Sequence, residues 1–405
     1  MNSPVSHASV AEALELLRAV GAGWSSAAVE VALEHAAGRV LAEDVVAPLD
    51  LPPFANSAMD GYALRHADAL TSARLRVQGV NLAGRAGPAR LEPGACVRIT
   101  TGAPLPEGAD TVVVKERCEE DGGMAQIHEL AEPGANVRHA GEDYRRGAVA
   151  LSRGTKLTPP CLGLLASFGL GRVAVNRRPR LRVFSTGDEL VPVGQPLPPG
   201  RIYDSNGPAL TACLRALGAD VVGTAHLDDR REAVRDALAS VDDADLLLTC
   251  GGVSAGEADH LPGVLAEIGE VLLWKVRIKP GMPFLFGRIG SRLYCGLPGN
   301  PVSAMVTCLV LVRPLLDAME GVVDAPRVVR ARLAAPVAKR HRRCEYRRGI
   351  LSVDDDGGLL VAERGAQGSA MQHGLVEANA LIELDEARET WGAGEVVRVI
   401  PLPWA

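Results

Sequence analysis

The chain lacks any surplus of positive charge: 43 lysines and arginines face 49 aspartates and glutamates over 405 residues, a formal net charge of −6. Sequence-independent phosphate binding needs a net basic surface, so a chain with a pI near 5.9 does not read as a general nucleic-acid binder. Long apolar runs are missing too. None approaches the roughly 18 residues of a bilayer span, and no basic start, apolar core and small-residue cleavage site combine at the N-terminus. The expected address is therefore the cytoplasm, without a membrane. Eight cysteines are scattered from Cys96 to Cys344 with no C-x-x-C pair and no histidine at zinc spacing, which reads as isolated reduced thiols. Walker A spacing and the G-x-G-x-x-G pattern are absent. So are a Ser/His/Asp set in a suggestive context and a reactive-cysteine motif. The ordinary charged share of 23% excludes wholesale disorder. The length suits roughly two to four globular domains of about 150 residues each.

What is present changes texture along the chain. Ser9-Val-Ala-Glu12, followed by Leu14, Leu17 and Val20, reads as a helix opened by a capping box. A second helix is expected near Glu30 to Val45. From Leu51 to about Glu132, short β-branched runs (Arg74–Val80, Cys96–Thr101, Thr111–Glu116, Met124–Glu129) between Gly/Pro turns predict a small antiparallel domain. Thr158-Pro159-Pro160 opens a further helix through Leu170. If the first helices pack against it, a discontinuous helical domain carries the β domain as an insertion. From Arg180, strands and helices alternate, and Asp245–Cys250 is an apolar run ending in Gly251-Gly252, as expected for a central strand covered on both faces. Helix Pro301 to Met319 closes a doubly wound α/β unit, whose ligands belong at the carboxyl ends of its strands. After Val328 only short strands and Gly turns follow, which suggests a small β-barrel or sandwich.

Four polar segments interrupt this framework. Pro52–Tyr62 holds Asp60 in a stiff loop, which could equally be an Asp-Gly turn into a strand; Thr101-Gly102 is a similar weak signal. Thr186-Gly187-Asp188-Glu189 puts adjacent carboxylates at a strand end, where they suit a hard divalent cation or cap a helix. Gly251-Gly252-Val253-Ser254-Ala255-Gly256-Glu257-Ala258-Asp259 lets backbone N–H groups approach an anion beside hydroxyl and carboxylate groups. Lys275 and Lys279 are two of only five lysines, the others being Lys115, Lys156 and Lys339, and Pro298-Gly299-Asn300-Pro301 precedes a helix N-terminus. Carboxylates (Asp60, Glu189, Asp228, Glu257, Asp259) alone would repel a phosphate. A magnesium ion between them would reverse that logic, so the composite reads as a site for a polyanion bridged by metal.

At these same residues the chain closely resembles the molybdopterin molybdenumtransferase (molybdenum insertase) family, which includes the E domain of gephyrin. The matching text is P-P-F-A-N-S-A-M-D-G-Y-A (52–63), R-I-T-T-G-A-P-L-P (98–106), G-E-D (141–143), T-G-D-E-L (186–190), G-R-I-Y-D-S-N (200–206), G-G-V-S-A-G-E-A-D (251–259) and G-L-P-G-N-P-V-S-A (296–304). The resemblance implies magnesium-dependent insertion of molybdenum from molybdate into adenylylated molybdopterin, with release of AMP. It also implies a homodimer with an inter-subunit site, and molybdopterin adenylyltransferase and molybdoenzymes as partners.

By motif, Asp60, Thr101, Glu189, Asp228, Asp259, Lys275 and Lys279 match positions implicated in activity, with Glu189, Asp228 and Asp259 on the metal. Gly251, Gly252, Ser254, Pro298, Asn300, Pro301, Ser303, Arg343, Arg348 and Ser369 match substrate-handling positions. Met282 stands where many relatives carry a second lysine, and Arg342–Arg348 matches approximately. The expected fold class is α/β multidomain: a discontinuous elongated linker domain (1–47 plus 141–179), an inserted small β domain (48–140), a doubly wound three-layer α/β molybdopterin-binding domain (180–325) and a C-terminal β-barrel (326–405). The competing functions are the related adenylyltransferase and a non-catalytic scaffold.

Overall fold

A computed structural model describes residues 5–24, 26–85, 87–253, 260–323 and 328–404. Ser254, Glu257 and Asp259 lie outside the described residues. The largest sheet runs, edge to edge, Val5–Ala8, Glu270–Val276, Leu285–Ile289, Arg292–Leu297, Leu246–Cys250, Arg180–Thr186, Asp220–Leu227. Its last four strands are mutually parallel. Every residue of Leu246–Cys250 is buried, as its unbroken apolar text requires of a strand with both faces covered. One face packs against the first helix, Asn206–Ala216 and Pro301–Met319; the other packs against Arg231–Ser240 and Leu261–Ile268. The three layers follow from this division. Pro301–Met319 is in fact long and apolar enough by composition to cross a bilayer, but 83% of its apolar window is buried inside the chain, where it serves as a core helix.

Two local expectations need correction. The first helix, Val10–Ala22, has the capping box read from Ser9 and Glu12, but it packs on the end of the long helix and shares the α/β core. The Val5–Ala8 strand decides this, because it pairs in parallel with Glu270–Val276 and delivers the helix to that face. The segment expected as a second helix is instead a strand, Ala28–Ala32, and a short 3-10 turn, Leu33–His35. Val29 and Val31 alternate at period two, and the strand pairs with Arg172–Asn176.

The small β unit orders its strands Thr111–Val114, Gly61–Leu64, Ala95–Ile99, Arg74–Asn81, Met124–Ile127, Cys118–Asp121. Arg74–Asn81 and Ala95–Ile99 are parallel rather than antiparallel, because the 82–94 connection is a crossover and not a hairpin. The tail resolves in favour of a barrel. Val329–Leu333, Leu359–Glu363, Cys344–Val353, Ala380–Leu384 and Val396–Pro401 pair in a closed circle around a common core, leaving no free edge.

Where the long helix ends, Asn176 Nδ2 donates to the Glu320 carbonyl at 2.7 Å. Glu320 is 6% exposed, and burial pushes its carboxyl up to about 7 despite Lys156, Arg178 and Arg39 nearby. A folded-state pKa above the unfolded one means that the folded chain retains the proton. This stabilising term is complete below about pH 4.5 and lost as pH rises through about 7, on the order of 3 kcal/mol in all. Glu320→Gln is therefore expected to flatten stability between pH 5 and pH 8 and to raise it at the alkaline end. Denaturant titrations of both proteins across that range check this.

Candidate active site

The parallel strands end together, and a cleft of about 840 Å³ opens beyond Thr186, Cys250 and the Pro298 loop. This is where the topology of a doubly wound sheet leaves a crevice. Gly187, Glu189, Tyr203, Ser205, Asn206 and Asp229 line one side. Gly251, Gly252, Pro283, Pro298, Asn300 and Pro301 line the other, and Ala370 and Gln372 reach in from the barrel.

The glycines have a defined reason. Gly251 sits at φ +107°, and a Cβ there would fall 2.6 Å from Thr186 Oγ1 and 2.7 Å from its carbonyl oxygen. Its N–H, expected to face an anion, instead donates to the Leu297 carbonyl at 3.0 Å. The residue permits strand ends to meet closely rather than offering a donor. Gly251→Ala should cost roughly 2–4 kcal/mol, from backbone strain and contact together. Thermal denaturation measures it. The Thr186 hydroxyl is buried with no hydrogen-bond partner among the described residues, a polar atom open to a ligand at the cleft floor.

The carboxylates are arranged differently from expectation. Asp228 points out, 62% exposed, with Arg230 at 3.6 Å. Its neighbour Asp229 lines the cleft, and its backbone N–H donates to Asp188 Oδ1 at 3.2 Å. Burial raises the Asp229 carboxyl above its ordinary range, and the charges of Asp188 and Glu189 push it further. A Cβ on Gly187 would lie 2.5 Å from Glu189 Oε2, so only glycine lets Glu189 fold back over the turn. Among the described residues no three His, Cys, Asp or Glu side chains converge to hold an ion unaided. Hard oxygen donors of this kind nonetheless fit magnesium, which keeps several waters and takes one or two carboxylates plus substrate phosphate.

The Pro298 loop is tied down from three directions. Asn206 Nδ2 donates to the Gly299 carbonyl at 2.7 Å and Cys250 Sγ to the Pro298 carbonyl at 3.2 Å. Asn300 Nδ2 donates to Ser369 Oγ at 3.2 Å, and the Val302 N–H to the Ser369 carbonyl at 3.1 Å. Two residues far apart in sequence thus meet at the helix start. Ser303 is buried one turn further in. Arg348, only 1% exposed, donates to the carbonyls of Gly368 and Met371 at 3.0 and 3.3 Å and to that of Ala366. Burial lowers its guanidinium pKa. It holds the Ser369 loop from beneath and does not face the cleft.

Lys275 and Lys279 do not line the cleft, although Pro283 of the same segment does. Lys275 Nζ lies 4.4 Å from the centre of the Trp274 ring, whose Nε1 donates to the Val253 carbonyl at 3.4 Å. Lys279 Nζ is 3.0 Å from Glu345. Arg343 Nη1 lies 3.9 Å from the Met282 sulfur. Asp60 and Thr101 sit on the small β unit and are not among the cleft-lining residues. There the antiparallel pairing of Gly61 with Ile99 puts the turn before Gly61 beside the turn after Ile99, and the Thr101 N–H and Oγ1 donate to Asp60 Oδ1 at 2.8 and 2.9 Å. Those two bonds hold the Asp60 carboxyl below its usual range.

Three family profiles together match most of the chain: the MoeA N-terminal region (domain I and II) over residues 8–169, a probable molybdopterin binding domain over 182–318, and the MoeA C-terminal region (domain IV) over 330–402. A molybdopterin molybdenumtransferase of Haemophilus influenzae is 41% identical over 374 residues, covering 91% of this chain and 92% of the relative. The chain belongs to the molybdopterin molybdenumtransferase family. Molybdopterin molybdenumtransferase 2 of Mycobacterium tuberculosis is 40% identical over 394 residues, covering 92% and 94%. A solved molybdopterin biosynthesis MoeA protein from Pyrococcus horikoshii superposes with a TM-score of 0.79 at 32% identity over 97% of this chain and 98% of that one.

Proposed function

We propose that this chain is an enzyme of molybdenum cofactor biosynthesis, a molybdopterin molybdenumtransferase that takes molybdenum from molybdate and inserts it into adenylylated molybdopterin with release of AMP. Family membership along essentially the whole chain supports the transferase. The observation that carries the finer reading is the cleft at the parallel strand ends, where Glu189 and Asp229 face a helix start and a glycine turn.

Glu189 and Asp229 on the cleft wall are the residues that would hold magnesium, with Asp228 beside them in sequence; Asp259, assigned to the metal by motif, lies outside the described residues. Bound there, the ion would neutralise the pyrophosphate and polarise its phosphoryl oxygen. The protein's own part is to bind and orient. The helix N-terminus after Asn300 attracts phosphate, Thr186 offers a hydroxyl without a partner among the described residues, and Gly251 and Gly252 let the strand ends close up beneath it. Ser303 and Ser369 bring hydroxyls to the helix start, Ser254 is a substrate-handling position by motif alone, and Pro298 and Pro301 stiffen the turn. Lys275, Lys279 and Arg343 receive the tetrahedral oxyanion, and Arg348 holds the Ser369 loop.

Asp60 and Thr101 reach the cleft of a second copy in a homodimer. The enzyme works in the cytoplasm, receives its substrate from a molybdopterin adenylyltransferase and passes product to molybdoenzymes. The test is to supply adenylylated molybdopterin, or ATP with unmodified molybdopterin, each with and without molybdate. AMP release from the first that depends on molybdate and magnesium supports the reading. Adenylylated product accumulating from the second would replace it with adenylyl transfer.

A further inference from the structure

The segment bearing the second lysine is latched to the barrel. Ile278–Lys279 forms a short parallel ladder with Cys344–Glu345, and Lys279 stands opposite Glu345 in register. Side chains of such a pair share a face, and Lys279 Nζ lies 3.0 Å from Glu345 Oε1. The Glu345 side chain is 4% exposed and that of Lys279 41%, so a buried anchor holds an accessible head. The carboxylate is itself braced from behind. Arg347 Nη2 donates to Oε2 at 3.2 Å, whereas His341 Nε2, 3.3 Å from the same atom, makes no hydrogen bond to it among the described residues. Arg347 also donates to the Ala338 carbonyl at 2.6 Å, which fixes its guanidinium. Burial alone would raise the Glu345 carboxyl, yet the bonds from Arg347 and Lys279 hold it below its usual range. The group stays ionised, and its charge is shared between Lys279 and Arg347, which also pairs with Glu363.

We propose that Glu345 is a positioning residue for Lys279: the barrel carboxylate fixes the lysine ammonium so that its remaining N–H donors meet a tetrahedral oxyanion. This rests on the reading that Lys279 receives that oxyanion. A lysine stem is long and flexible, and a ligand that must immobilise it loses affinity. With one N–H already committed to Glu345, that ordering precedes binding. The arrangement also gives the barrel a role in the reaction that its own interior does not suggest.

The experiment is calorimetric binding of molybdate and of tungstate to the intact chain and to Lys279→Ala, Glu345→Ala, Glu345→Gln and the Lys279→Ala/Glu345→Ala double variant. Each alanine variant is expected to weaken binding about tenfold, with the double variant no weaker than Lys279→Ala alone. Glu345→Gln, which keeps an acceptor for the ammonium, should recover most of the affinity. If Glu345→Ala fails to fold, Glu345→Asp keeps the charge but shortens the reach, and it should weaken binding only where Lys279 is present. Glu345 variants that bind as well as wild type while Lys279→Ala binds poorly would overturn the positioning role and leave Lys279 in place. Unchanged binding by Lys279→Ala would remove the oxyanion role of Lys279 itself, and the proposal with it.

Discussion

Asp229→Asn lowers the rate of AMP release from the adenylylated substrate by roughly a hundredfold, and at least about tenfold more than Asp228→Asn does. The two residues are adjacent, and a motif match cannot tell them apart. Their surroundings do: Asp228 is directed to solvent beside Arg230, whereas Asp229 lines the cleft with its backbone tied to Asp188. The same geometry sets a pH dependence. Burial and the neighbouring carboxylates raise the Asp229 pKa, so as pH falls it protonates before an ordinary aspartate would. The acid limb of the wild-type rate profile should therefore sit above the normal carboxylate range, and Asp229→Asn should abolish that limb. Rates for all three proteins from pH 4 to pH 8 at magnesium well below saturation provide the comparison, because bound ion would itself lower the Asp229 pKa. A larger loss in Asp228→Asn than in Asp229→Asn would return the role to Asp228.

Arg348→Ala destabilises the barrel by about 3 kcal/mol, because a buried guanidinium that satisfies several loop carbonyls is removed and water must reach them instead. Arg348→Lys does little better, since one ammonium cannot span carbonyls arranged for a planar fork. The loop it supports carries Ser369, which meets Asn300 and Val302 at the cleft. Limited proteolysis should accordingly show faster cleavage between Arg364 and Gln372, with weaker substrate binding as a second consequence. Loss of binding with an intact loop and unchanged stability would mean instead that Arg348 touches the ligand.

The sequence made the α/β unit legible because its strands and helices carry strong periodic signals. The fully apolar Leu246–Cys250 run and the Pro301 helix start are examples. It misassigned Glu30 to Val45, where a short alternating strand is hidden among helix-forming alanines and glutamates. Pairing with Arg172–Asn176, about 140 residues away, decides that segment. The first helix was readable as a helix but not by its destination. A strand of only four residues, Val5–Ala8, joins it to the α/β core, and nothing local announces that pairing.

The candidate site was legible in its motifs, which the fold brings together at the strand ends, and less so in its geometry. Thr186 through Glu189, Gly251 and Gly252, and the Pro298 loop meet as their strand-end positions require. Asp229 was missed because it stands beside a better motif match, and its burial is a tertiary property. Gln372, whose Nε2 donates to Ser205 Oγ at 3.2 Å, has no signal in its own neighbourhood. Glu345 was read within an arginine-rich run, and only the ladder with Lys279 gives it a task.

The most direct test of the account is the stoichiometry of a single turnover. Purified protein is given adenylylated molybdopterin, magnesium and molybdate, and molybdenum bound to the pterin dithiolene is measured alongside AMP. The account predicts one molybdenum inserted for each AMP released, and neither in appreciable amount when molybdate is withheld. AMP released without molybdenum appearing on the pterin, at a rate indifferent to molybdate, would contradict it.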